Sequence, residues 1–134
     1  MDKDKIQKDL FYRFKEELTD YHKDVLKYFS KEHHLDITEM ARNEGKLRQE
    51  IDLLASEQEQ FNKKLEIVLK DIVCSADIFE YVVRDLYAKN LFTIKSSLDL
   101  DIQELTKGHH PKLTTRLGDE FVEYITKKSG LKFS

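Results

Sequence analysis

Between residues 37 and 72, apolar side chains recur at alternating intervals of three and four. Ile37, Met40, Leu47, Ile51, Leu54, Phe61, Leu65, Val68 and Ile72 occupy the series, and only Glu44 and Gln58 interrupt it. An α-helix brings residues three and four apart onto one face, so the spacing predicts a long helix with an apolar seam. Phe11, Phe14, Leu18, Tyr21, Val25 and Tyr28 repeat the pattern upstream. A chain with two such seams is built to join helices. Four glycines and one proline in 134 residues leave little turn chemistry for a β architecture. The expected fold class is all-α.

The seams also set the first boundaries. A helix over 2–30 has Asp2 and Asp4 in its first turn and Lys27 and Lys31 near its end, as the helix dipole favours. Its seam extrapolates to positions 32, 35 and 39, whereas the next seam starts at 37 and 40. The register slips there, and Asp36 is placed to cap a second helix from Ile37 to about residue 73. A short connection predicts antiparallel neighbours. The expected organisation is a long antiparallel helical hairpin with a coiled-coil-like seam over 1–74. A smaller C-terminal helical portion, 75–134, packs on its end.

Ser75 can cap a third helix over 76–89, with Phe79, Val82, Val83, Leu86 and Tyr87 inward. The competing reading is one unbroken helix over 37–89, about 80 Å long. Beyond Asn90 the period changes. Phe92 and Ile94 alternate with polar residues, as do Leu98, Leu100 and Ile102. A hairpin turning at Ser96-Ser97 competes with a helix over 98–107 capped by Ser97. The helix is favoured, because an isolated two-stranded hairpin is marginal in water. Gly108 and Pro111 mark a loop. A last helix over 115–128, capped by Thr114, turns Leu117, Phe121, Tyr124 and Ile125 inward, and Gly130 with Leu131 suits a helix-ending glycine motif.

With Ile37 at heptad position a, the e positions are Ala41, Arg48, Ala55, Asn62 and Leu69, and the g positions are Asn43, Glu50, Glu57, Lys64 and Asp71. A two-stranded zipper pairs opposite charges at e and g. Here e is largely small or apolar, which widens the stripe and favours three or more helices around the core. The seam is longer than the upstream helix can cover, so a homodimer is expected. Ile37, Met40, Leu47, Ile51, Leu54, Phe61, Leu65 and Val68 form its interface. Glu44 and Gln58 are candidates for setting register.

Function is bounded mainly by what is missing. Charged residues make up 37% of the chain, the net charge is −3, and neither half carries a basic surplus. That is not a nucleic-acid footprint. The last two helices could form a helix-turn-helix, yet Asp119, Glu120 and Glu123 follow Arg116 on the would-be reading helix and would face phosphates. There is no glycine-rich phosphate loop, no Gly-x-Ser-x-Gly elbow and no acid–base pair that stands out, so catalysis is not supported. His33-His34 and His109-His110 fall in predicted turns without a third ligand at a known spacing. Neither a metal nor another cofactor is expected.

Cys74, the single cysteine, sits among Ile72, Val73 and Ala76 and reads as a buried thiol. Tyr12 falls off the seam and reads as an exposed aromatic. The charged N-terminus has no signal-peptide core, and Asp77, Glu80, Arg84, Asp85 and Lys89 break up the most apolar stretch, leaving no membrane span. A cytoplasmic protein is expected. The function expected is non-catalytic protein–protein interaction, as an adaptor, chaperone-like holder or inhibitor working through the hairpin. The alternative is a dimeric DNA-associated regulator that reads with its C-terminal helices.

Overall fold

The computed structural model describes residues 2–51, 53, 54 and 56–130, with side chains as far as residue 127. The fold is all-α in character. In chain order, the described residues form α1 (Lys3–Glu17), α2 (Asp20–Tyr28), β1 (His33–His34), α3 (Ile37–Ile51), α4 (Glu57–Val68), α5 (Ala76–Ala88), α6 (Ile102–Thr106), β2 (His109–His110) and α7 (Arg116–Gly130). The only sheet among them is the antiparallel pair β1–β2. None of the described helices is long and apolar enough to cross a membrane.

The upstream seam is carried by two helices rather than one. Leu18 is extended, and Thr19 caps α2. The Thr19 hydroxyl oxygen accepts the His22 backbone N–H at 3.2 Å, while His22 Nδ1 accepts the Thr19 N–H at 3.3 Å. Each group satisfies a donor that a helix start would otherwise orphan. The seam survives the break: Phe11, Phe14, Leu18 and Val25 are buried, and Tyr21 and Tyr28 are half-buried. It packs on α5 and α7, and it meets only the tail of the second seam, where the Tyr21 hydroxyl donates to the Ile72 carbonyl at 2.7 Å. Phe11 and Phe14 meet Phe121 edge to face, with ring centroids 5.3 and 5.7 Å away. Among the described residues α1 and α2 do not pack on α3, so the expected long antiparallel hairpin of the first two helices does not form.

The second seam is also divided. Ser56 caps α4, its Oγ accepting the Glu59 N–H at 3.1 Å, and Glu57 and Glu59 occupy the positive first turn. α3 and α4 fold back antiparallel. Lys70 Nζ lies 3.0 Å from Glu39 Oε2, and Lys63 Nζ lies 3.3 Å from Glu50 Oε2. The two halves of the seam therefore face each other. Ala55, assigned to the widened stripe, lies outside the described residues.

α4 ends at Val68 and a turn over 69–75 follows, so neither a helix to residue 73 nor one running on to 89 is present. Ser75 caps α5 as expected, and Phe79, Val82, Val83 and Leu86 point inward. Tyr87 does not; it is 40% exposed. Cys74 is exposed rather than buried, because its turn gives the inward positions to Val73 and Ala76. α5 closes on Asn90 at φ 61, with Leu91 N–H to Leu86 O and Asn90 N–H to Tyr87 O both at 2.9 Å. This is the paired-bond helix ending that a left-handed residue permits.

Phe92 does belong to a strand-like segment, but it bridges Thr114 rather than residues near Leu100. In place of one helix over 98–107 there is a 3-10 turn, Ser97–Asp99, and then α6, capped by Asp101. Ser97 is buried: its N–H and hydroxyl donate to the Glu80 carboxylate at 2.9 and 3.3 Å. α7 starts one residue later than expected. Thr115 Oγ1, not Thr114, accepts the Gly118 N–H, at 2.9 Å. The expected Gly130–Leu131 ending involves Leu131, outside the described residues. One apolar core runs from Phe11 to Ile125 and draws on residues either side of position 74.

Candidate functional site

The residues expected to form an interface lie along the α3–α4 pair. Ile37, at the start of α3, is 83% exposed. Met40, Leu47, Ile51, Leu54 and Phe61 are half-buried, and Leu65 and Val68 are buried. Their cover comes from the same chain, since α4 lies on α3 and α6 lies on both. The length of seam left over by the upstream helix is thus covered internally. Glu44 and Gln58 are exposed, and Gln58 Nε2 donates to Asn62 Oδ1 on its own helix at 2.9 Å. The buried polar residue of α3 is Asn43, whose Oδ1 has no hydrogen-bond partner among the described residues.

Where α3, α4 and α6 meet there is an open cleft of about 350 Å³. Half-buried Leu47 and Ile102 are its apolar residues, and Glu44, Lys64, Gln103 and Lys107 contribute polar walls. Neither Lys64 nor Lys107 enters an ion pair among the described residues, and they share the cleft with one carboxylate, Glu44. Two neighbouring lysines are engaged: Lys63 of α4 and Lys70, in the turn after it, hold α3.

The histidine dipeptides are not the separate solvated turns expected from spacing. They pair with each other, His33 opposite His110 and His34 opposite His109. Successive strand residues point to opposite faces, so each dipeptide sends one imidazole inward and one outward. On the inner face His110 is 1% exposed, and its Nδ1 is 2.6 Å from the Tyr28 hydroxyl. His33 stacks on the Tyr28 ring at 4.3 Å. Burial and the neighbouring His33 push the His110 pKa down to about 4, against the pull of the Leu105 carbonyl and Asp71. Its Nε2 is buried without a well-formed hydrogen bond among the described residues. On the outer face the His34 and His109 rings stack at 5.1 Å, beside Glu32. The Glu32 hydrogen bond raises the His109 pKa, and the same bond lowers that of Glu32.

Comparison with family models, curated proteins and solved structures returns no match. Any functional reading therefore rests on the geometry. α6 and α7 do not pack on each other among the described residues, so they do not make the helix-turn-helix entertained from the sequence. β2 and an extended segment separate them, and α6 is only five residues long.

A further polar link is structural. His22 Nδ1 accepts from Thr19, so Nε2 carries the proton and donates to Asp85 Oδ2 at 2.9 Å. Burial holds this imidazole below its ordinary range in spite of Asp85. Asp85 is partly buried, yet Lys89 and His22 hold its carboxyl below the usual carboxylate range. The arrangement ties α2 to α5. Neither this link nor the histidine ladder has a spacing signal, because the partners are far apart in sequence.

Proposed function

We propose that this chain is a non-catalytic protein-interaction protein whose α3–α4–α6 cleft takes a segment of another protein. The segment carries apolar side chains flanked by carboxylates. The observation that supports this reading is the pairing of an apolar floor, Leu47 and Ile102, with two lysines, Lys64 and Lys107, that make no ion pair among the described residues and outnumber the one carboxylate of the cleft, Glu44. Apolar anchors entering a half-built groove supply most of the affinity in such interfaces, and rim charges select and steer the partner. The chain acts by occupancy, as an adaptor, holder or inhibitor does.

The test places a photo-crosslinking amino acid at Gln103 of the full chain, expressed in its native host. The expected product is an adduct whose partner peptide combines apolar and acidic residues. It should be lost in the Lys64→Glu, Lys107→Glu variant while circular dichroism stays unchanged. Adducts that persist in the charge-reversed, folded variant, or no adduct at all, would overturn the reading.

A further inference from the structure

We propose that Glu32, His34 and His109 form a binding site for a divalent transition cation of the zinc class. Three independent features of the ladder lead to it. The first is register. Leu35 N–H donates to Gly108 O at 2.9 Å, which makes 35 and 108 a hydrogen-bonded pair. Such pairs alternate with closer, non-hydrogen-bonded ones, so His34 and His109 occupy the close kind, on one face. Glu32, two residues before His34, shares that face by the same alternation.

The second feature is convergence. His109 Nε2 is 2.6 Å from Glu32 Oε1, and His34 Nε2 is 3.9 Å from Glu32 Oε2. The three ligand atoms all lie within 4.8 Å of one another. Around a tetrahedral zinc, ligands sit about 3.3 Å apart, given bonds of roughly 2.0–2.1 Å. Closing the set needs a shift of at most about 1.5 Å, which the 70% exposed His34 side chain can supply by rotation. The cation would take the place of the proton that His109 Nε2 shares with Glu32.

The third feature is support behind a ligand. His109 Nδ1 faces Glu104 Oε2 of α6 at 3.6 Å. A metal-bound histidine commonly donates its other N–H to a carboxylate, which fixes its tautomer and orientation. Two imidazoles and one carboxylate suit Zn²⁺, Ni²⁺ or Cu²⁺ better than Mg²⁺ or Ca²⁺, which prefer oxygen ligands. Three protein ligands leave a position for water. The cation would clasp the α2–α3 connection to the α6–α7 connection. None of the cleft residues takes part, so this inference stands apart from the interaction reading.

The test is a Zn²⁺ titration of the untagged full chain, read by calorimetry and by competition with a chromophoric chelator. One-to-one saturable binding is expected, with Mg²⁺ and Ca²⁺ failing to compete. His34→Ala or His109→Ala should abolish saturable binding, and Glu104→Gln should weaken it about tenfold while leaving stoichiometry unchanged. His33→Ala, on the other face, should retain it. His34→Ala alone decides the matter if the His109 variant unfolds. No saturable uptake, or uptake unchanged in the His34→Ala chain, would overturn the site. Equal loss in His33→Ala and His34→Ala would also overturn it.

Discussion

Replacing glycine by alanine at two helical positions should change stability in opposite directions. Gly118 lies in the first turns of α7, pressed against the chain that follows α5. A Cβ there would collide with the Leu91 carbonyl oxygen and lie 3.2 Å from Thr114 Cβ. Leu91 is fully buried, and its carbonyl accepts the Thr115 N–H at 3.1 Å, so neither side of the contact yields easily. Overpacking of this kind costs about 1–3 kcal/mol, and straining the Thr115 bond adds up to about 1 kcal/mol. Helix propensity returns roughly 0.5–1 kcal/mol. Gly118→Ala should therefore destabilise by about 1–3 kcal/mol. At roughly 3–5 °C per kcal/mol for a chain of this size, Tm falls by about 3–15 °C. Gly45, mid-way along α3, has nothing within 4 Å of its would-be Cβ. Gly45→Ala collects only the propensity gain, and its Tm should rise by about 2–5 °C. Thermal melts followed by circular dichroism, with urea unfolding as a check, read both. A Gly118→Ala chain that melts at or above the parent would refute the close approach of α7 to Leu91.

Acid should weaken the fold through its buried histidines. A pKa lowered by folding means that the stability is complete above the unfolded value near 6.5 and is lost as pH falls through it. For His110, at about 4 in the folded chain, the loss approaches roughly 3 kcal/mol by pH 4. His22 adds a loss of the same sign. Urea unfolding with chelator present should show the decline between pH 6.5 and 4, and a flat profile there would contradict it. Asn43→Leu should be neutral or stabilising by about 1 kcal/mol, because the Asn43 Oδ1 is buried without a partner; a drop in Tm would show that this oxygen is satisfied.

The helical class and several element ends were legible because they depend on neighbours in sequence. Asp36 accepts the Glu39 N–H at 2.8 Å at the start of α3, and Ser75 starts α5 as its position suggests. The inner faces of α1, α2 and α5 follow the three-and-four spacing. What spacing does not carry is continuity. An apolar series keeps its count through a tight turn, so the breaks at Thr19 and Ser56 leave the seams intact. Ser56-Glu57-Gln58-Glu59 has the Ser-x-x-Glu pattern of a helix start, a local signal that a long seam obscures. Long-range pairing is further from reach. Phe92 finds Thr114 across α6 and β2, and His34 finds His109 through the folding of α3 to α6 between them. Two adjacent histidines then become one inner and one outer residue, which no sequence interval announces.

Zero-length carbodiimide coupling tests most directly whether the second seam folds back on itself. The reagent joins a lysine amine to a carboxylate only when the two are in contact. Monomeric chain isolated on a denaturing gel and read by peptide mass spectrometry should contain Lys70–Glu39 and Lys63–Glu50 amides, from contacts of 3.0 and 3.3 Å. A single helix through residues 39 to 70 would hold the first pair about 46 Å apart, at 1.5 Å per residue. Finding both links within one chain is the result predicted. Finding them only between chains, or not at all, would contradict the α3–α4 pair and the cleft built on it.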